Sequence, residues 1–411
     1  MRTEIRIPGL VCVEHTFEVP LDHAHPEGPS IDVFAREVAD PDGTDRPFLV
    51  YLQGGPGFEA VRATGRPRSP GWVDHALSEY RVLLLDQRGT GRSTPVGSLP
   101  GATAAEQAEY LTHFRADAIV RDAEHIRRAL DVDRWTVLGQ SFGGFCVLSY
   151  LSQAPEGLRE ALFTGGLPPL RRSIDEVYTR TYARVRERNR RFYATFPEDR
   201  DRVRRLRAAV EDPGIELPGG EALTWRRVRQ LGLMLGMSDG AEHLHHILEL
   251  PFDSPGFAHD VAEAGGFARN PLYAILHEAC YADGGTTGWS AQRTLPEDFA
   301  DDPDLFTGEH VFSWMFDDYG ALAPLREAAE LLARHQWPHL YDPDVLAANE
   351  VPCAAAIYTE DMYVERAFSE ETAAHIPRLR AWVTSEYDHN GLRADGARVL
   401  GHLLDLVRGR A

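Results

Sequence analysis

The chain of 411 residues contains no lysine, and all 43 of its basic side chains are arginine. That absence removes Schiff-base and pyridoxal chemistry, and with them the phosphate-binding lysine of nucleotide loops. Cysteine is scarce: Cys12, Cys146, Cys280 and Cys353 lie far apart, with no C-x-x-C pair. Such spacing fits neither a disulfide framework nor a zinc knuckle, so buried free thiols are expected. No stretch approaches the ~20 apolar residues of a membrane span. The first twenty residues hold no apolar run of signal-peptide length, and the expectation is a soluble, cytosolic protein. A formal charge of −20 repels phosphate backbones and makes nucleic acid a poor partner.

What is present is a composition of 43% hydrophobic residues, enough for a sizeable core, on a chain long enough for two domains. The first part alternates strand-like and helix-like segments. Ile31–Val38, Phe48–Leu52 and Arg81–Leu85 are short apolar runs, and the second of them ends in Gly-Gly-Pro-Gly. Ile119, Ala123, Ile126 and Leu130 recur at helical spacing within Ala116–Leu130. A strand at Trp135–Leu138, a glycine-rich turn, an apolar helix through Phe145, Leu148 and Leu151, and a strand at Ala161–Thr164 follow. This alternation predicts a mostly parallel sheet with helices on both faces. After Pro168-Pro169 the character changes. Ser173 and Glu176 form a capping box opening a long, arginine-rich helix to about Tyr193, and helical periodicity continues to about residue 340. Strands return at Cys353–Tyr358 and Arg380–Val383, and a helix through Val399, Leu403 and Val407 closes the chain. The expected organisation is a core over 1–168, a helical cap over 169–342 and the rest of the core over 343–411.

Gly139-Gln140-Ser141-Phe142-Gly143 follows a strand and precedes a helix. Alone, G-x-S-x-G is an ordinary glycine-rich turn. Between strand and helix, it holds a serine hydroxyl clear of the sheet as a nucleophile. The N–H of Phe142, opening the helix, is a candidate oxyanion donor. A serine needs a base, and the fold that carries this motif orders its triad as serine, acid, histidine. Of 17 histidines, His389 alone stands just after the last predicted strand; His375 falls inside a predicted helix, and His277, His310 and His243 lie in the cap. The acid is expected after the preceding strand, in Thr359-Glu360-Asp361. Asp361 is preferred and Glu360 is the alternative, while Asp388 is too close in sequence to reach the imidazole Nδ1. Gly54 and Gly55, in the loop after Phe48–Leu52, supply the second oxyanion donor, since glycine lets a backbone N–H face the substrate.

With these residues placed, the chain resembles the proline iminopeptidase (prolyl aminopeptidase) family of α/β-hydrolases over most of its length. The markers are Val19-Pro20-Leu21-Asp22-His23, Gln53-Gly54-Gly55-Pro56-Gly57, Asp86-Gln87-Arg88-Gly89-Thr90-Gly91-Arg92-Ser93 and Gly139-Gln140-Ser141-Phe142-Gly143-Gly144. Many members carry histidine where this chain has Gln53, which, like Gly165-Gly166-Leu167-Pro168-Pro169 and the large cap, is similar to a longer bacterial subgroup. The resemblance implies an α/β-hydrolase fold, no metal or organic cofactor, and small peptides with a free N-terminal proline as substrates. It also implies that a cap glutamate binds the substrate amine, a role carried to Glu278 in Glu278-Ala279-Cys280-Tyr281. Glu309, in aromatic-rich surroundings, is a second candidate, and Tyr273, Trp314 and Phe316 are candidate walls for the proline ring. An esterase or amidase, or an aminopeptidase of broader first-residue preference, would use the same triad. Ser141 excludes the related enzymes whose nucleophile is aspartate.

Overall fold

The computed structural model describes residues 2–411. Nine strands form one sheet: β1 (Arg2–Ile7), β2 (Leu10–Pro20), β3 (Ser30–Ala39), β4 (Phe48–Leu52), β7 (Arg81–Leu85), β8 (Trp135–Gln140), β9 (Leu158–Thr164), β10 (Cys353–Tyr358) and β11 (Leu379–Thr384). The two-residue strands β5 (Thr64–Gly65) and β6 (Arg68–Ser69) pair separately. The spatial order is β1-β2-β3-β7-β4-β8-β9-β10-β11. Strands β1 to β3 are antiparallel, and β3 also meets β7 antiparallel. The six strands from β7 to β11 run parallel.

Every residue of β4 and β10 is buried, because helices cover both faces. On one face lie the helices Ala116–Ala129 and Phe142–Gln153, whose apolar residues merge with the interior of the 174–347 region. On the other, Gly71–Ala76 packs against Gly396–Val407 through Trp72, Val399 and Leu403.

Between β9 and β10 the chain adds no strand to the central sheet. It opens instead with the helix Ile174–Thr195, whose capping box is complete: Glu176 N–H donates to Ser173 Oγ at 3.2 Å, and Ser173 N–H to the Glu176 carboxylate at 2.9 Å. The helices that follow are shorter than this one, and Pro343–Ala347 is the last of them.

Sheet order places the chemistry. Starting from β4, the chain crosses to β7 on one side, then returns to β8 on the other. The loops after β4 and β8 therefore diverge at a topological switch point, where α/β sheets form ligand crevices. Leu52 and Gly139 are paired at the ends of those strands. The loops after β10 and β11 open at the same carboxyl edge of the parallel sheet.

Candidate active site

Ser141 sits at φ 54°, ψ −125°, immediately before the helix Phe142–Gln153. A side chain in this sparsely populated region costs on the order of 1–3 kcal/mol. It persists because close packing leaves the turn no alternative. A Cβ on Gly143 would fall 1.9 Å from Leu52 O, and one on Gly166 would fall 2.1 Å from Ser141 O. The backbone is also pinned by Ser141 N–H donating to Thr164 O at 3.0 Å.

His389 follows β11, and its ring is buried beside Asp361, which follows β10. His389 Nδ1 lies 2.8 Å from Asp361 Oδ2. The carboxylate only accepts, so Nδ1 carries the proton and Nε2 is the free base. The other carboxylate oxygen, Oδ1, accepts the N–H groups of Tyr363 at 2.8 Å and Val364 at 3.0 Å. Tyr363 also sets its ring edge-to-face against the imidazole at 4.6 Å. Burial alone would favour the neutral ring. The charge and hydrogen bond of Asp361, with Glu309 and Asp388 behind them, outweigh it and hold His389 above its ordinary value. Glu360, the alternative acid, is turned away and paired with Arg191, and Asp388 is held by Arg188.

Gly54 lies against Ser141: a Cβ there would be 3.0 Å from Ser141 Cβ. Its loop is held by Gln87 Nε2, which donates to Gln53 O at 3.0 Å. The adjoining Arg88 is buried and forks onto Asp122, with Nε at 2.7 Å. The Asp86–Ser93 segment thus braces the Gly54-Gly55 loop from behind. The N–H of Phe142 belongs to the first helical turn, whose donors have no partner within the helix.

A family model described as the alpha/beta hydrolase fold matches residues 47–255. A proline iminopeptidase of Aeromonas sobria is 47% identical, covering 98% of this chain and 98% of its own. The chain belongs to the proline iminopeptidase family of α/β-hydrolases. A second member, proline iminopeptidase aneH of Aspergillus aculeatus, is 36% identical over 97% of this chain and 94% of its own.

Ser141 and His389 open into a cavity of about 510 Å³ that also exposes Gly54 and Gly55. For a family that acts on a free amine, its carboxylates matter most. Glu309 lines this cavity, and Tyr273 Oη donates to Glu309 Oε1 at 2.6 Å. Tyr273 in turn joins a chain of rings, at 5.3 Å to Phe58 and 6.0 Å to Phe267, which meets Tyr319 at 4.9 Å.

Glu278 is elsewhere, which corrects the role carried to it by resemblance. It heads a 3₁₀ turn, Glu278–Tyr281, and Oε1 accepts Ala291 N–H at 2.9 Å while Oε2 is buried without a partner. The cavity it lines is a separate one of about 20 Å³ among Ala274, Ile275 and Trp289. Trp314 and Phe316 are likewise off the site: Trp314 stacks on Phe312 at 5.6 Å, and Phe316 packs on Trp289 at 5.7 Å. Both are cap packing. Tyr363, Phe267, Gln230 and Glu263 line the active cavity and were not singled out from sequence. Only Tyr363 carried a signal, standing two residues after the acid.

Burial raises the Glu278 carboxyl to about 7 against the pull of the Ala291 and Ser290 N–H groups. A carboxyl whose folded value lies above its unfolded one loses stability as pH rises between the two, here from about 4.5 to about 7. The whole window is worth about 3 kcal/mol. Glu278→Gln has no such dependence. Its melting temperature should therefore gain a few degrees on the wild type between pH 5 and pH 8. An offset that is equal at both pH values would mean that Glu278 is not a buried, proton-binding carboxyl.

Proposed function

We propose that this chain is a serine exopeptidase that releases N-terminal proline from small peptides through an acyl-enzyme on Ser141. The observation that carries the reading is one cavity holding Ser141, the Asp361-backed His389, and Glu309 beside an aromatic wall. Both full-length relatives bear the proline iminopeptidase name.

In this reading the substrate's secondary ammonium pairs with Glu309, and its pyrrolidine ring lies against Tyr273 and Phe267. A charge-assisted pair in a water-poor cavity orients strongly. His389 Nε2 takes the Ser141 proton as Oγ attacks the prolyl carbonyl. The N–H of Phe142 and one from the Gly54-Gly55 loop receive the oxyanion. His389 then protonates the leaving amine, and water hydrolyses the ester by the same relay. Four free, buried cysteines fit a reducing, cytosolic setting.

The test is hydrolysis of L-prolyl p-nitroanilide beside its N-acetylated and alanyl counterparts, in wild type and Glu309→Gln. Leaving a buried charge unpaired costs about 2–5 kcal/mol. The variant should therefore lose roughly 10²- to 10³-fold in kcat/KM on the free prolyl substrate. Glu309 also helps to raise His389. The neutral imidazole is the base, so activity falls as pH drops through a value above the ordinary ~6.5. Glu309→Gln should shift that limb to lower pH. Equal cleavage of blocked and free substrates would instead identify a general esterase or amidase.

A further inference from the structure

Resting on the aminopeptidase reading, we infer that Arg393 is a specificity residue that captures the C-terminal carboxylate of a short peptide, so that free di- and tripeptides are the preferred substrates.

The active cavity is built from two different halves. Tyr363, Leu233, Met237 and Phe267 belong to the core shared with the helical insertion, whereas Trp72, Leu392 and Val61 belong to the core on the opposite face of the sheet. Ser141 and the Gly54-Gly55 loop lie between them. Glu309 and its ring wall stand in the first half. A substrate whose amine is held there must send its leaving group into the second.

That second half has its own charge. Arg393 is the one arginine among the described residues that line the cavity. It sits in the short helix Gly391–Ala394, four residues after His389, and Leu392 beside it is buried in the cavity floor. Its guanidinium is held loosely. The partner is Asp239, at 3.2 Å, with 66% of the arginine side chain and 74% of the aspartate exposed. Asn390 is already committed, accepting from Ser238 N–H at 3.0 Å and Ser238 Oγ at 2.8 Å. The other charged rim group is Glu263, on the cap helix Pro255–Ala264.

The cavity is therefore acidic where the amine binds and cationic past the scissile bond. A free peptide of two or three residues has the matching pattern, an ammonium at one end and a carboxylate at the other. A cavity of about 510 Å³, open to solvent at the rim that carries Arg393, has the size of a small-molecule site. Arginine receives carboxylates through paired N–H donors. Because Arg393 is at the rim, the pairing adds modestly and is screened by salt.

The experiment compares Pro-Ala with Pro-Ala amide, together with L-prolyl p-nitroanilide, in wild type and Arg393→Gln. The free acid should exceed the amide roughly three- to fivefold in kcat/KM at low salt, chiefly through KM, and the margin should shrink toward one in 0.5 M NaCl. In Arg393→Gln the acid-to-amide ratio should fall to about one. Asp239→Asn, which frees the guanidinium, should raise it. Equal rates for acid and amide in wild type, or an unchanged ratio in Arg393→Gln, would overturn the inference while p-nitroanilide hydrolysis leaves the aminopeptidase reading standing. Failure to cleave any of the three would overturn both.

Discussion

Ser141→Ala loses about six orders of magnitude in kcat on L-prolyl p-nitroanilide, the scale seen when a triad's nucleophile is deleted. Its far-ultraviolet spectrum and melting temperature stay those of the wild type. The two halves of this expectation have different physical origins. The chemical loss follows because, among the described residues that line the cavity with His389, Ser141 is the one serine, threonine or cysteine. The side chains around it are otherwise amide, apolar, aromatic or charged, and the four cysteines are outside the lining. The stability half follows because the turn is held by its neighbours, not by the hydroxyl. Gly143 against Leu52 O, Gly166 against Ser141 O and the bond from Ser141 N–H to Thr164 O are untouched by removing Oγ. Alanine inherits the positive φ of 54° and with it the strain. Ser141→Gly, free of that penalty, should be equally inactive and melt no lower than Ser141→Ala. Activity within about a hundredfold of wild type in Ser141→Ala would mean that another group attacks the carbonyl, and the reading would fail.

Residues whose role follows from chain position were legible in the sequence. Strand, elbow and helix around Ser141, and the loops after the last two parallel strands, are local patterns whose meaning depends only on their order. Phe48–Leu52, Arg81–Leu85 and Cys353–Tyr358 begin and end where the expected runs do, because strands covered on both faces are predominantly apolar, with Arg81 the polar residue at the mouth of its strand. The first two strands left no such trace. Arg2–Ile7 alternates charged and apolar residues on an exposed edge, and its pairing with Leu10–Pro20 is set by the tight turn through Gly9 at φ +87°.

The cap was less legible for a related reason. Its long helices are polar, and the candidate residues stand instead on the six-residue helix Pro271–Leu276, the turn Glu278–Tyr281 and the loop around Glu309, which are too short for spacing to say which face meets the cavity. Glu278 and Glu309 both stand among aromatics in sequence. Only the fold shows that one spends an oxygen on Ala291 N–H, and that the other meets Tyr273 at the nucleophile's side. The segment that the resemblance singled out, Glu278–Tyr281, begins just past Leu272 and Tyr273, which pack on Gly57 in the loop after β4. The carboxylate that the resemblance named, Glu278, does not line the cavity that holds Ser141 and His389. Specificity depends on side-chain direction, which sequence order does not encode.

Asp361→Asn carries the next largest effect, a loss of about 10⁴-fold in kcat. The reason lies in where the asparagine oxygen must go. At Asp361, Oδ1 accepts two backbone N–H groups, from Tyr363 and Val364, and only an acceptor can stand there. The variant therefore keeps its carbonyl oxygen toward the backbone and turns its NH₂ to His389. An NH₂ donates, so Nδ1 must accept and the ring proton moves to Nε2, the atom that has to receive the proton of Ser141. The triad would be intact in outline and in the wrong tautomer. The same change removes the charge that holds His389 up, so the residual activity should extend to lower pH than in the wild type. Glu360 offers no rescue, because Arg191 holds it outside the site. Glu360→Gln should therefore stay within a few-fold of the wild type. If Glu360→Gln were crippled and Asp361→Asn were active, the acid would be the other carboxylate, and the hydrogen bond at 2.8 Å would not be the catalytic one.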